Sequence, residues 1–228
     1  IVPNSQEVDG YRADVDLFTN YLNVKNVNGI FLEMGACDGV LYSNTKALED
    51  YLGYRGILIE PGEKFYEGLV KNRPNCKNYK CLVSEVEGDV DYISGPPSAP
   101  GVGGAVGALT DNWIDSWNLD KSKITKVRSR KLSDILHETK VPYIDFWSLD
   151  VEGSELGVLK TMDWGIPVYI ICMEVSAWTA SVGGQKDVEE CRVILRSQGF
   201  TCDGKRRGLD EFWINENYFR KNILFRKN

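Results

Sequence analysis

Apolar and polar positions alternate in blocks along this chain. Short apolar runs at 29–35, Arg55–Glu60, Tyr143–Leu149 and Val168–Val175 stand between longer stretches whose apolar residues recur at helical spacing. Runs of that length read as strands buried on both faces, and the stretches between them as helices. The pattern predicts helices over Ser43–Leu52, ended by Gly53, and Glu63–Asn72, stopped before Pro74. A third opens at Ser133 as N-cap and ends before Pro142; a fourth runs from the cap Ser154 to about Met162; a fifth covers Lys186–Ser197 and ends at Gly199. Cys76–Ser84, Val90–Ser94, Phe200–Cys202 and Phe212–Asn215 read as further strands, and Lys123–Lys131 alternates weakly, as an edge strand would. Residues 1–28 are polar and helix-prone, with Val15, Leu17, Phe18, Tyr21 and Leu22 as expected core contacts. Strands alternating with helices make an α/β fold: a mainly parallel sheet covered on both faces, with one antiparallel edge. No repeat or linker appears, so 1–228 reads as one domain.

The stretch 95–104 is Gly-Pro-Pro-Ser-Ala-Pro-Gly-Val-Gly-Gly, which holds neither a helix nor an interior strand. Asn112–Trp117 follows as a short helical turn. Such a loop could close over a substrate, with Trp113 and Trp117 stacking on a flat apolar face; the same tryptophans serve equally well as core.

The chemistry concentrates where strands end. The first strand runs through Phe31-Leu32-Glu33-Met34 into the turn Gly35-Ala36-Cys37-Asp38-Gly39, and the second ends on Glu60-Pro61. A glycine turn after a buried strand, followed at the next strand's end by an acid, is the layout of a nucleotide site at the carboxyl edge of a parallel sheet. Gly35 and Gly39 would let the backbone approach a ligand, and Glu60 would accept ribose hydroxyls. A ligand-free βα turn needs small residues too, but that reading leaves the pairing with Glu60 unexplained. The spacing is Gly-x-x-x-Gly, not Gly-x-Gly-x-x-Gly, and Glu33 and Asp38 would repel a pyrophosphate. They would attract the ammonium and sulfonium of S-adenosylmethionine. The second concentration is Asp145-Phe146-Trp147-Ser148-Leu149-Asp150-Val151-Glu152-Gly153-Ser154-Glu155. Its apolar residues deliver Asp150 and Glu152 to the same edge, and Glu174 ends the neighbouring strand. Glu155 suits either helix-dipole support or a ligand.

Composition removes several function classes. Net charge is −6, which disfavours nucleic acid; the basic run Lys121–Lys131 reads as a solvated strand or loop. Six cysteines without a Cys-x-x-Cys pair and a single histidine exclude a typical zinc site, and the thiols point to a reducing, cytoplasmic compartment. No apolar run is long enough to span a membrane. His137 lies before the strand Tyr143–Leu149, at the wrong end of the sheet for a base, so nucleophile–histidine hydrolysis is disfavoured. The chain starts at Ile1, as a processed product or a domain cut from a longer protein would.

These segments, with Ser5-Gln6, Ser43-Asn44-Thr45 and Gly56-Ile57-Leu58-Ile59-Glu60-Pro61, resemble the FkbM-type family of S-adenosylmethionine-dependent O-methyltransferases. The resemblance spans most of 5–216 and is weakest over 95–131, where acceptor recognition would lie. It implies a Rossmann-like class I methyltransferase fold with seven strands, and methyl transfer to a hydroxyl, often on a sugar. On that reading Glu33, Gly35, Ala36, Asp38 and Gly39 cradle the methionine half, and the N–H groups of Ser43 and Asn44 hold its carboxylate. Glu60 and Pro61 bound the ribose, and Ser84 approaches the adenine. Asp150 also borders the cofactor and acts as base, with Glu152 and Glu174 in support; the three could instead hold Mg²⁺. The expected acceptor is a sugar or glycan, deoxysugars such as rhamnose or fucose included, with a glycosyltransferase as fused or associated partner. A non-catalytic module of the same fold, an NAD-dependent oxidoreductase and a methyltransferase of non-sugar acceptors are the rival readings.

Overall fold

The computed structural model describes residues 3, 5, 7, 11–22, 28–175, 181–204 and 209–215, without the side chains of residues 18, 19 and 100. Phe18 and Gln6 therefore lie outside what is described. The buried apolar runs form the central strands: β1 Ile30–Met34, β2 Arg55–Ile59, β8 Ile144–Leu149 and β9 Val168–Glu174. With β3 Lys77–Tyr79, β10 Thr201–Cys202 and β11 Asp210–Ile214 they make a seven-stranded sheet in the order β10-β11-β9-β8-β1-β2-β3. From β9 across to β3 every pairing is parallel. The expected antiparallel strand is present but is not at the edge: β11 runs antiparallel between β9 and β10. The chain reverses there by a hairpin, because only seven residues separate Thr201–Cys202 from β11.

Alternate residues of β1 feed two cores. Phe31 packs with Leu58, Phe146, Ile170 and Phe212 on one face, under α1 Ala13–Asn20, α2 Lys46–Leu52 and α3 Glu63–Asn72. Leu32 and Met34 pack with Ile59, Trp147, Leu149 and Ile171 on the other. That face is covered by α5 Leu132–Thr139, α6 Glu155–Lys160 and α7 Gln185–Ser197. Burial on both faces is why these strands read as unbroken apolar runs. Among the described residues of 1–28, helix is confined to α1; Leu17 and Leu22 are buried there, whereas Val15 is 41% exposed. Capping also differs from expectation. Ser133 lies inside α5, whose start is held by Thr161, through its hydroxyl to Leu132 N–H and its carbonyl to Ser133 N–H. Ser154 sits at the N-cap of α6 without a side-chain bond. Glu155 supplies the carboxylate instead, accepting from the N–H groups of Val151 and Gly153 at 3.0 and 3.3 Å.

A second, four-stranded sheet was not foreseen. Its order is β4-β7-β5-β6, from β4 Leu82–Val83, β5 Gly88–Ile93, β6 Gly104–Ala105 and β7 Thr125–Arg130. The expected strand Cys76–Ser84 is thus two: Lys77–Tyr79 pairs with β2, which ends at Ile59, and the chain then crosses so that Leu82 pairs with Ser129. The basic strand β7 is interior to this sheet, not an edge. Its charges are met locally, Lys126 by Asp91, Arg130 by Glu138 and Lys131 by Glu87. With the helix α4 Asp111–Ser116, the second sheet encloses a small core of Ile93, Val102, Leu109, Ile114 and Leu119. No helix among the described residues is long and apolar enough to cross a membrane.

Candidate active site

The carboxyl ends of β1, β2, β8 and β9 open into one cavity of about 520 Å³, roofed by the second sheet and the strap 98–104. Six carboxylates line it: Glu33, Glu60, Asp150, Glu152, Glu174 and Asp210. Gly35, Asn44 and Pro61 also reach it. Ala36, Asp38, Gly39, Ser43 and Ser84 are not among the lining residues.

The reasons are local. The Asp38 carboxylate closes its own turn, accepting from the N–H groups of Val40 and Leu41 at 2.9 and 2.7 Å. Gly39, at φ +79°, faces Arg73, whose Cγ would lie 2.6 Å from an added Cβ. Gly35, at φ +74°, sits against Asp150: a Cβ there would come 2.0 Å from the Asp150 carbonyl oxygen. Both glycines therefore admit protein as their near neighbour, and Gly35 locks the β1 turn onto the end of β8. The Ser43 hydroxyl and the Asn44 N–H bond Glu33, at 2.9 and 2.7 Å, and the Ser43 N–H donates to the Val40 carbonyl at 3.3 Å. Ser84 belongs to the second sheet, where its hydroxyl meets that of Ser129 at 2.8 Å. Cys81, Leu82, Val83 and Tyr92 line the cavity with Glu60.

Glu33 accepts a third bond from the Thr45 hydroxyl and lies 3.8 Å from Arg73. Burial still raises its pKa, against the opposing pull of Arg73 and these donors. Arg73, fully buried, also pairs with Glu49 and donates to the Gly39 carbonyl at 2.9 Å, so it clamps the whole β1 turn. As the last residue before a proline at a helix end, it gave no sequence signal. Glu60 bridges two turns, accepting from Cys37 N–H at 2.9 Å and Gly62 N–H at 2.7 Å. Burial outweighs these bonds and pushes it up to about 7.

Carboxylate oxygens of Asp150, Glu152 and Glu174 lie within 4.8 Å of one another. Burial, then the adjacent Glu174, which shares a hydrogen bond with it, raises Asp150 well above the usual range. Burial, Glu174 and Asp150 together push Glu152 up to about 10. Like charges this close cannot all ionise, so the cluster retains protons or gathers a cation. Asp210, opposite Glu174 in the β9–β11 register, joins them, and burial followed by Asp150 pushes it to about 7. It went unrecognised in the sequence because Asp-Glu-Phe-Trp-Ile does not read as a buried strand. Glu152 also holds a left-handed backbone, φ 52°, as does Cys37 at φ 45°; strained non-glycine residues of this kind gather at functional sites. His137 bonds Asp163 at 2.7 Å, outside the cavity.

A mainly parallel sheet in this order, with an acid-lined cavity at its carboxyl edge, is a Rossmann-like fold. The family model of the methyltransferase FkbM domain matches residues 33–202, and the chain belongs to that family. No curated protein matches it significantly. Among solved structures, methyltransferase FkbM from Methylobacillus flagellatus KT aligns over 90% of this chain at 14% identity, with a TM-score of 0.50. The chain spans about half of that protein, 48% of its length. The fibrillarin pre-rRNA processing protein of Methanococcus jannaschii aligns over 90% of this chain and 74% of its own, at 11% identity and TM-score 0.48. Aeropyrum pernix fibrillarin, solved with natively bound S-adenosyl-L-methionine, aligns over 92% and 84%, at 12% identity and TM-score 0.44.

Proposed function

We propose that this protein is an S-adenosylmethionine-dependent O-methyltransferase acting on a hydroxyl of a sugar or glycan, deoxysugars included. The observation that carries the reading is the distribution of acids in one cavity: Glu60 at the end of β2, and Asp150, Glu152 and Glu174 at the ends of β8 and β9. Glu60 suits the ribose hydroxyls, with Pro61 beside it; the wall of Cys81, Leu82, Val83 and Tyr92 suits the adenine. Glu33 and Asp150, with the Gly35 turn between them, would ionise beside a sulfonium and an ammonium and then offer them a negative field. A pyrophosphate would meet the same field as repulsion, which argues against NAD.

When bound, the cofactor supplies an electrophilic methyl group. The protein's part is to align the acceptor oxygen in line with it and to take the hydroxyl proton. Asp150, hydrogen-bonded to Glu174, is the base in this reading. Its raised pKa keeps it protonated until a cationic ligand arrives, so ligand binding itself prepares the base. A divalent cation on Asp150, Glu152 and Glu174 is the second reading, favoured by three hard oxygen donors within 4.8 Å; it would bind the hydroxyl and lower its pKa.

The test is release of S-adenosylhomocysteine across a panel of sugars, glycans and non-sugar alcohols, for wild type and Asp150→Asn. Sugar turnover that falls about 10²-fold or more in the variant, by far more than cofactor affinity does, is the expected result. Cofactor binding by calorimetry without turnover of any acceptor would favour a non-catalytic module. Loss of activity in chelator, restored by Mg²⁺, would assign the cation; an unchanged rate leaves Asp150 as the base.

A further inference from the structure

Trp113 in α4 and Trp117 just past its end both line the cavity but pack differently. Trp113 packs against the small core of Ile93, Val102, Leu109, Ile114 and Leu119, and its indole N–H donates to the Val102 carbonyl at 3.1 Å. Trp117, one helical turn on, lies outside that core and lines the cavity, 41% exposed. The rings are 5.7 Å apart and tilted by 59°, so Trp113 packs beside Trp117. An indole left this open inside a cavity contributes little to folding, while its flat apolar face is held ready for a ligand.

The strap ties this ring to the acids. Val102 takes the Trp113 N–H, and a Cβ on the neighbouring Gly101 would lie 3.2 Å from Glu152 Oε1. Glycine at 101 thus lets the strap pass close beside the carboxylate cluster. Among the described residues that line the cavity none is Lys, Arg or His, against six carboxylates.

Resting on the methyltransferase reading above, we propose that Trp117 is the acceptor-binding platform. The C–H face of a sugar ring stacks on the indole while its hydroxyls turn to the Asp150–Glu152 cluster. The ring it accepts carries no negative charge, because the described lining surrounds a phosphate or uronate with acidic groups and gives it no cation to pair with. The sugar is therefore methylated as a neutral free sugar or glycoside and not as a sugar phosphate or nucleotide sugar.

Steady-state kinetics on a neutral methyl glycoside that the wild type turns over, and on its 6-phosphate, test this. The expected outcome is a preference for the neutral sugar of 100-fold or more in kcat/KM. Trp117→Ala should raise the acceptor KM about tenfold, with kcat within a few-fold and cofactor affinity by calorimetry unchanged. Trp117→Tyr should restore most of the loss. Equal use of the phosphorylated sugar, or a wild-type KM in Trp117→Ala, overturns the proposal while leaving sugar methylation intact. If the wild type methylates no sugar, the proposed function fails and this inference falls with it.

Discussion

Glu60→Gln isolates the electrostatic cost of the acid that follows β2. In the fold Glu60 is 4% exposed and its pKa rises from the ordinary 4.5 to about 7. Between those values the folded chain holds a proton that the unfolded chain has lost. Stability is therefore full below about pH 4.5 and declines as pH rises to about 7. At about 1.4 kcal/mol per pH decade, that decline amounts to about 3 kcal/mol. Glutamine cannot ionise and escapes it. Its amide nitrogen, however, must face either Cys37 N–H or Gly62 N–H, both of which Glu60 now satisfies; that mismatch costs about 1–3 kcal/mol. Urea unfolding without ligand should find the variant less stable than wild type near pH 4.5. The difference should shift by about 3 kcal/mol in the variant's favour by pH 8. Calorimetry at pH 8 should show weaker cofactor binding. A variant–wild-type difference identical at both pH values would refute the reasoning, since Glu60 would then not titrate between them.

Gly35→Ala tests the lock between β1 and β8: a left-handed alanine costs about 1–2 kcal/mol, and its methyl would overlap the Asp150 carbonyl. Both the melting temperature and cofactor affinity should fall, and an unchanged melting curve contradicts the packing. Glu152→Gly should separate stability from activity. It relieves a left-handed backbone and a carboxylate that burial and its acidic neighbours push up to about 10, offset by about 0.5–1 kcal/mol of glycine entropy. Thermal melts should stay level or rise while turnover drops; a marked loss of stability would show that the strain is not real.

Much of the main sheet was legible because its strands are buried on both faces. Phe31–Met34, Ile57–Ile59, Ile144–Leu149 and Val168–Met173 are mainly apolar, with Glu33, Asp145 and Ser148 as exceptions, for the same reason that they are central. The acids at their ends stood out because nothing in the neighbouring pattern requires a charge there. The second sheet was hidden: Leu82–Val83 and Gly104–Ala105 are too short to carry a period, and they become strands through pairing with residues distant in sequence. Arg73 and Asp210 were hidden too. A charged residue's type says nothing about its burial, which partners from other elements decide.

By itself, then, the chain determined the layers, the order of strand and helix along it, and the carboxylates delivered to one edge, all of which follow from local periodicity. Tertiary structure decided which of those groups share a cavity. It turned Ser43 and the Asn44 N–H towards Glu33, set Gly35 against Asp150, brought Asp210 beside Glu174, and left Trp117 open where Trp113 is packed. Each of these depends on contacts between elements far apart in sequence, where no spacing rule reaches.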